Sequence, residues 1–476
     1  MMSAVGPKAD NPTLVLLQKC KTLNRLKQVH AQMITTGLIL HTYPISRLLH
    51  LSSTLATLSY TLAIFNKVTS PTIFLYNTLI SSFAQNGNTK AALSIYQHIL
   101  SHPNTKPNDY TYPSLFKAFG AHQWLSPGRA LHAHVLKFLP TPHDKFVWAS
   151  LLNFYSRCGR VAMARYFFDH MSELDLATWN SMLSSYARKT SFSFGDNSCN
   201  LDGDSSSSME VLSLFSRMQR FSSVRPNEVT LVALITACAE LGALNQGLWA
   251  HAYVIRNGLS LNRYIGTSLI SLYVDSGYLE FARQVFDQLP QRDEFCFNAM
   301  IRGLAIHGHV REALDLFETM KKDSFAPDDF TILAVMSACS HAGLVDEGRC
   351  FFEAMTGFYG LEPKIEHYCC LVDLLGRAGL VEEAEERVRA IPMKPNPVLW
   401  RSLLGTAIVH GNLKTAELAL GKLVELEPET SGNYVLLSNM YACLDKWDDV
   451  RRIRESMKDG GVNKTPGSSL AGERFD

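Results

Sequence analysis

Three asparagines in this chain stand in the same local setting. Asn77, Asn180 and Asn298 each follow an aromatic residue, Tyr76, Trp179 and Phe297, within segments whose apolar residues recur at helical spacing. Asparagine is a mediocre helix former, so its recurrence there needs a reason. For any one of them, the plain reading is a solvent-facing polar residue. A primary amide also offers a donor and an acceptor side by side.

Groups suited to catalysis are not arranged for it. Zinc deaminases pair His-x-Glu with a later Pro-Cys-x-x-Cys, yet none of the sixteen histidines has Glu two residues on. The chain also lacks the G-x-x-x-x-G-K-[ST] phosphate loop and the G-x-S-x-G nucleophile elbow. His30, His132 and His251 recur in VHAQMITTG, LHAHVLKFL and AHAYVIRNG. Equivalent places in separate repeats are spread apart, so these histidines are read as structural. Cys369 and Cys370 are adjacent without His or Cys at ligand spacing, which makes a poor zinc site. Cys238 and Cys339 occupy equivalent places and read as small buried packers, in keeping with a reducing compartment. No catalytic residue, metal, cofactor or small-molecule substrate is expected. No window has the ~18 consecutive apolar residues of a membrane span. Lys plus Arg is 45 against 44 for Asp plus Glu, a net charge of +1. That balance argues against binding dominated by phosphate neutralisation and leaves recognition of individual bases open.

What positions such residues is a repeat. A residue stands ten positions before a glycine and fifteen before an alanine at Asn77, Ala149, Thr267, Asn298, Cys369 and Arg401. Leu333 leads instead to Gly343 and then Gly348, read as the one exception. In FLYNTLISSFAQNGNTKAALSIYQHIL, Tyr76, Leu79, Ile80 and Phe83 form one helical stripe, and Ala92, Ile95, Tyr96 and Ile99 form a second. Gly87 supplies the turn between them. The later copy carries Phe297, Met300, Ile301 and Leu304, then Ala313, Leu316, Phe317 and Met320. Pro107, Pro226 and Pro327 are read as ending their repeats. The unit is a helical hairpin that buries both stripes only when stacked, so the fold class is an all-α solenoid. Residues 1–9 form a short leader, poor as a transit peptide. About eleven hairpins follow over 10–396, at 10–41, 42–72, 73–108, 109–144, 145–175, 176–227, 228–262, 263–293, 294–328, 329–364 and 365–396. Within the sixth, 189–208 (KTSFSFGDNSCNLDGDSSSS) reads as a disordered surface loop. Residues 466–476 form a tail.

The repeats alternate in type, and the alternation resembles a known family. WNSMLSSYAR and FNAMIRGLAIHG resemble P-type pentatricopeptide repeats. TLVALITACAELGALNQGLWAHAYVIRNGL and TILAVMSACSHAGLVDEG resemble L-type repeats, and IGTSLISLYVDSGYLEFARQVFDQLPQRD an S-type repeat. Residues 397–465 are similar to the E-type extension that follows such arrays. The chain is thus identified as a plant organellar pentatricopeptide repeat protein of the PLS class, E subgroup. It stops at GSSLAGERFD, without the terminal deaminase domain of many editing factors.

The resemblance implies a right-handed superhelix that reads single-stranded RNA, one base per repeat, through the fifth and last residues. Carried over, Asn77 with Asn108 and Asn180 with Asn227 resemble pyrimidine readers. Thr267 with Asp293 resembles a guanosine reader, and Asn298 with Asp328 a uridine reader. Second-position residues such as Phe74 and Phe295 are expected to stack on neighbouring bases. Pro113, Ala149, Val232, Leu333 and Cys369 supply no amide or hydroxyl at the fifth place, so the footprint is sparse. The RNA runs 5′ to 3′ along the chain. The implied function is selection of sites for cytidine-to-uridine editing of organellar transcripts, mitochondrial rather than plastid. A deaminase would be recruited in trans through the extension, whose Trp400, Leu403, Leu404, Tyr434 and Tyr441 read as core. Stabilisation or splicing of a transcript, and a peptide-binding scaffold, are the alternatives.

Overall fold

The computed structural model describes residues 11–102, 105–139, 144–191, 204–221 and 223–462, and the side chains of these except 189–191 and 204–206. The leader and the tail lie outside the described residues. Among those described, all regular structure is helical: twenty-six α-helices and one 3-10 turn, Leu38–Leu40, with no strand. The chain divides into two compact units, Met1–Ala237 and Cys238–Asp476.

In the N-terminal unit, helices Ile73–Gln85 and Thr89–Ser101 form the hairpin expected over 73–108. All eight apolar residues of its two stripes are buried. Gly87 joins the helices at φ 74°, and the side chain of Asn88 then accepts the N–H of Ala91. Nothing crowds Gly87, so its backbone angle rather than space demands glycine. The first helices of successive hairpins pack on one another: Thr42–Leu55, Ile73–Gln85, Tyr112–Ala121, Lys145–Arg157 and Leu176–Ser191. Helices Thr89–Ser101, Leu125–Phe138 and Val161–His170 each rest on their own first helix and on the next one.

The C-terminal unit follows the same plan. Its first helices are Arg263–Asp275, Glu294–Ile306, Asp329–Ala342, Ile365–Arg377 and Pro397–Val409, again packed in order. Both stripes of the 294–328 hairpin are buried, except that Leu316 is half-buried. The extension continues the pattern with Leu413–Leu426, Ser431–Cys443 and Trp447–Asp459. Trp400, Leu403, Leu404, Tyr434 and Tyr441 are buried.

Three details differ from the sequence reading. Gly348 is not the lone exception at the second offset, because Gly128 and Gly247 stand fifteen residues after Pro113 and Val232. A Cβ at Gly128 would lie 1.9 Å from the Phe154 ring, and at Gly247 and Gly348 it would lie 2.3 Å from Leu272 and Leu374. These three second helices touch the next first helix too closely for alanine. The prolines do not stop the helices either. Ser101, Phe221 and Lys322 end their helices well before Pro107, Pro226 and Pro327, which lie in the connectors. Finally, the 189–208 stretch is not loop throughout. Residues 189–191 finish helix Leu176–Ser191 and 204–208 open helix Asp204–Phe221. Asp and Ser are favoured both in loops and where a helix starts, so composition alone does not separate the two at 204–208. Residues 192–203 lie outside the described residues.

The recurrent histidines tie one hairpin to the next. His30 Nδ1 meets the Tyr60 hydroxyl at 2.7 Å, His132 that of Tyr155 at 2.9 Å, and His251 that of Tyr273 at 2.7 Å. Burial holds His30 and His251 below the ordinary histidine pKa. Cys238 and Cys339 are fully buried, and burial pushes their thiols up to about 12 and about 11. Burial does the same to Cys369 and Cys370, up to about 11 and about 12.

Candidate base-reading interface

Each first helix starts at a polar residue, and that start builds the candidate site. Asp328 precedes helix Asp329–Ala342; its carboxylate accepts the N–H of Thr331 at 2.8 Å, and its own N–H is donated to the Thr331 hydroxyl at 3.1 Å. This is a closed capping box. One hairpin earlier, Asn298 reaches the same place from helix Glu294–Ile306. Its Nδ2 donates to Asp328 Oδ1 at 3.0 Å, and its Oδ1 accepts from the Thr331 hydroxyl at 2.6 Å. Thr331 is fully buried, whereas Asn298 and Asp328 are half-exposed.

The same network recurs twice in the N-terminal unit. Asn77 Nδ2 donates to Asn108 Oδ1 at 2.9 Å, and the Thr111 hydroxyl donates to Asn77 Oδ1 at 2.8 Å. Asn180 Nδ2 donates to Asn227 Oδ1 at 3.0 Å, and the Thr230 hydroxyl donates to Asn180 Oδ1 at 2.6 Å. Thr111 and Thr230 are fully buried, and the four asparagines are half-exposed. In every triad the threonine consumes one acceptor position of the asparagine amide and the last residue consumes one donor. One N–H and one lone pair of each amide remain for a partner.

The fourth pair does not meet. The Thr267 hydroxyl donates to the backbone carbonyl of Arg263 at 2.8 Å and lies 3.1 Å from Cys296 Sγ. Asp293 accepts the N–H of Cys296 at 3.1 Å and faces Arg263 Nε at 3.7 Å. Cys296 holds the place of the threonine in the other three, and the Thr267 side chain is too short to bridge the gap. Both residues remain half-exposed. Repeats without a polar fifth residue keep the cap alone: Asp175 accepts from the N–H of Thr178 at 2.8 Å, and Asn396 from that of Leu399 at 2.9 Å. A polar last residue therefore caps a helix whether or not an asparagine reaches it.

Phe74 and Phe295 are exposed, at 53% and 57%. Sequence reasoning passed over their counterparts Tyr110, Phe146, Tyr264 and Phe330, all of them exposed. Cations sit over three of these rings: Lys145 over Phe146, Arg263 over Tyr264 and Lys364 over Phe330. In the N-terminal unit, Phe74, Asn77, Asn108, Tyr110 and Phe146 line one open groove of about 900 Å³. The capping threonines were also missed, although their signal was present. PNDYT, PNEVT and PDDFT share Pro, an amide or carboxylate, an acid and Thr at fixed spacing.

No group of three or more His, Cys, Asp or Glu able to hold a metal ion occurs among the described residues, and no described helix is long and apolar enough to cross a membrane.

These features define a class: stacked helical hairpins whose first helices carry polar residue pairs flanked by exposed rings. The chain belongs to the pentatricopeptide repeat family. The PPR repeat family model matches residues 71–121 and 292–341, and the PPR repeat model matches 146–176, 267–293, 330–358 and 366–388. The E motif model matches 410–471, beginning after helix Pro397–Val409. Pentatricopeptide repeat-containing protein At5g43790 of Arabidopsis thaliana is 53% identical, over 98% of this chain and 99% of that protein. The Arabidopsis protein At1g59720, named chloroplastic/mitochondrial, is 34% identical over 95% of this chain and 71% of its own length. Among solved structures, the maize pentatricopeptide repeat protein PPR10 aligns over 94% of this chain and 68% of that one, with a TM-score of 0.55 and 17% identity. PPR10 has also been solved in complex with an 18-nt psaJ RNA element, at a TM-score of 0.38 and 14% identity over 94% of this chain and 75% of that one.

Proposed function

We propose that this protein binds single-stranded RNA in a plant organelle and selects transcript sites for cytidine-to-uridine editing, with the deaminase supplied in trans. The observation that carries the RNA-binding reading is the threefold recurrence of one half-exposed amide network. Capping alone accounts for the last residue, but not for an asparagine that reaches it from the preceding hairpin. The free amide valences beside exposed rings suit a base held edge-on and stacked on its face. The assignment is pyrimidine at the third and sixth repeats through Asn77/Asn108 and Asn180/Asn227. It is guanosine at the eighth through Thr267/Asp293, and uridine at the ninth through Asn298/Asp328. Of these, the guanosine assignment has the least geometric support, since Thr267 and Asp293 share no hydrogen bond.

Editing and recruitment rest on the E motif match and on family membership. In the extension, Leu444 and Trp447 are exposed and are better placed to meet a partner than the buried Trp400 or Tyr441. A mitochondrial site is proposed ahead of a plastid one. Two experiments separate the parts. Purified protein should bind a matched RNA at least ten-fold more tightly than a scrambled one of equal composition; equal binding would favour a peptide scaffold. Plants lacking the protein should leave one or more specific organellar cytidines unedited. Intact editing with an unstable or unspliced transcript would move the function to RNA stabilisation or splicing.

A further inference from the structure

A primary amide has nearly the same shape from either end, yet turning it over exchanges the donor and acceptor it shows to a base. Something must therefore fix the orientation of each reading asparagine. In all three triads a threonine hydroxyl accepts the N–H of the last residue, at 3.0 Å for Asn108, 3.2 Å for Asn227 and 3.1 Å for Asp328. Its single proton then has two oxygens to face, the fifth-position amide oxygen, the nearer in each case, and Oδ1 of the last residue. We infer that Thr111, Thr230 and Thr331 are positioning residues that set the amide orientation of Asn77, Asn180 and Asn298, and with it the base preference of those repeats. The inference rests on the base-reading function proposed above.

The three repeats depend on the threonine to different degrees. Asp328 can only accept, so Asn298 must turn its NH₂ towards it whatever Thr331 does. Asn227 Oδ1 accepts the N–H of Thr230 at 3.2 Å, which fixes its acceptor end independently. Asn108 has no such anchor, since the N–H of Thr111 goes to its backbone carbonyl at 2.9 Å. Asn77 and Asn108 face each other as two amides that can turn over together. In the turned arrangement the Thr111 proton would face two NH₂ groups and find no acceptor. Thr111 alone breaks that tie.

The test compares the affinities of two RNAs that differ only at the nucleotide facing the third repeat, a pyrimidine in one and a purine in the other. Thr111→Val should cut the pyrimidine-to-purine preference by roughly five-fold, the worth of one hydrogen bond. Thr331→Val should change preference at its own nucleotide much less. Thr111→Ser, which keeps the hydroxyl, should retain the preference. Thr111→Cys, which copies the buried Cys296, should weaken it in the same direction as Val and is a second route if Val folds poorly. An unchanged preference in both the Val and Cys variants overturns the inference, as does a loss in Thr111→Ser equal to that in Val. If instead the unsubstituted chain binds both RNAs equally, base reading itself fails at this repeat and the inference fails with it.

Discussion

Asn298, Asp328 and Thr331 show how local chemistry becomes selectivity. The carboxylate is already committed to a helix N-terminus; Asn298 then donates one hydrogen bond to it and accepts a second from the Thr331 hydroxyl. Replacing Asn298 by Thr should move the preferred base at the ninth repeat from uridine towards guanosine. Nucleotide-substituted RNAs measured by fluorescence anisotropy should show a change of about ten-fold, within the usual worth of a specific base contact. The asparagines were legible in the sequence because the repeat fixes their spacing, and their last-residue partners through the family resemblance. Thr331 was not, because a β-branched residue in a first turn reads as a neutral helix start. Whether Thr267 meets Asp293 is not legible from those two residue types. The contact also depends on the third side chain, Cys296, and on reach.

At the scale of helices, hydrophobic stripes at 0, 3, 4 and 7 located the hairpins and most of the core. They missed what sets the distance between hairpins. Gly128, Gly247 and Gly348 carry no stripe and no turn; their meaning is the absence of a Cβ against Phe154, Leu272 and Leu374. Gly348→Ala should therefore destabilise the C-terminal unit by about 1–3 kcal/mol through overpacking, read as a lower midpoint in urea. The reverse change at the matching place of a P-type repeat, Ala313→Gly, should cost about 1 kcal/mol by helix propensity alone. The histidine–tyrosine ties add a pH dependence. The folded pKa of His251 lies below its unfolded value of about 6.5, so the unfolded chain takes up a proton first. Stability is thus fully present above about pH 6.5 and declines as pH falls from there towards the folded pKa. Thermal melts between about pH 7.5 and pH 5.5 should show this decline, and His251→Gln should flatten it.

For the molecule as a whole, charge separates base reading from backbone clamping. A net charge of +1 is not that of a strongly basic, phosphate-neutralising surface, and Arg263 and Lys364 beside the rings face Asp293 and Asp329. Affinity for matched RNA should fall by less than about ten-fold between 50 and 200 mM salt, well short of what six or more phosphate contacts would produce. Fold class was plain from the chain because each hairpin repeats its own instructions. The 189–208 stretch was not, since Ser and Asp serve both loops and helix starts. The most direct test is selection of binders from a fully randomised single-stranded RNA pool by the intact protein. The enriched sequences should share, 5′ to 3′, a pyrimidine, two free positions, a second pyrimidine, one free position, then G and U. Enrichment of no common sequence, or of one whose order runs against the repeats, would contradict base reading by these hairpins.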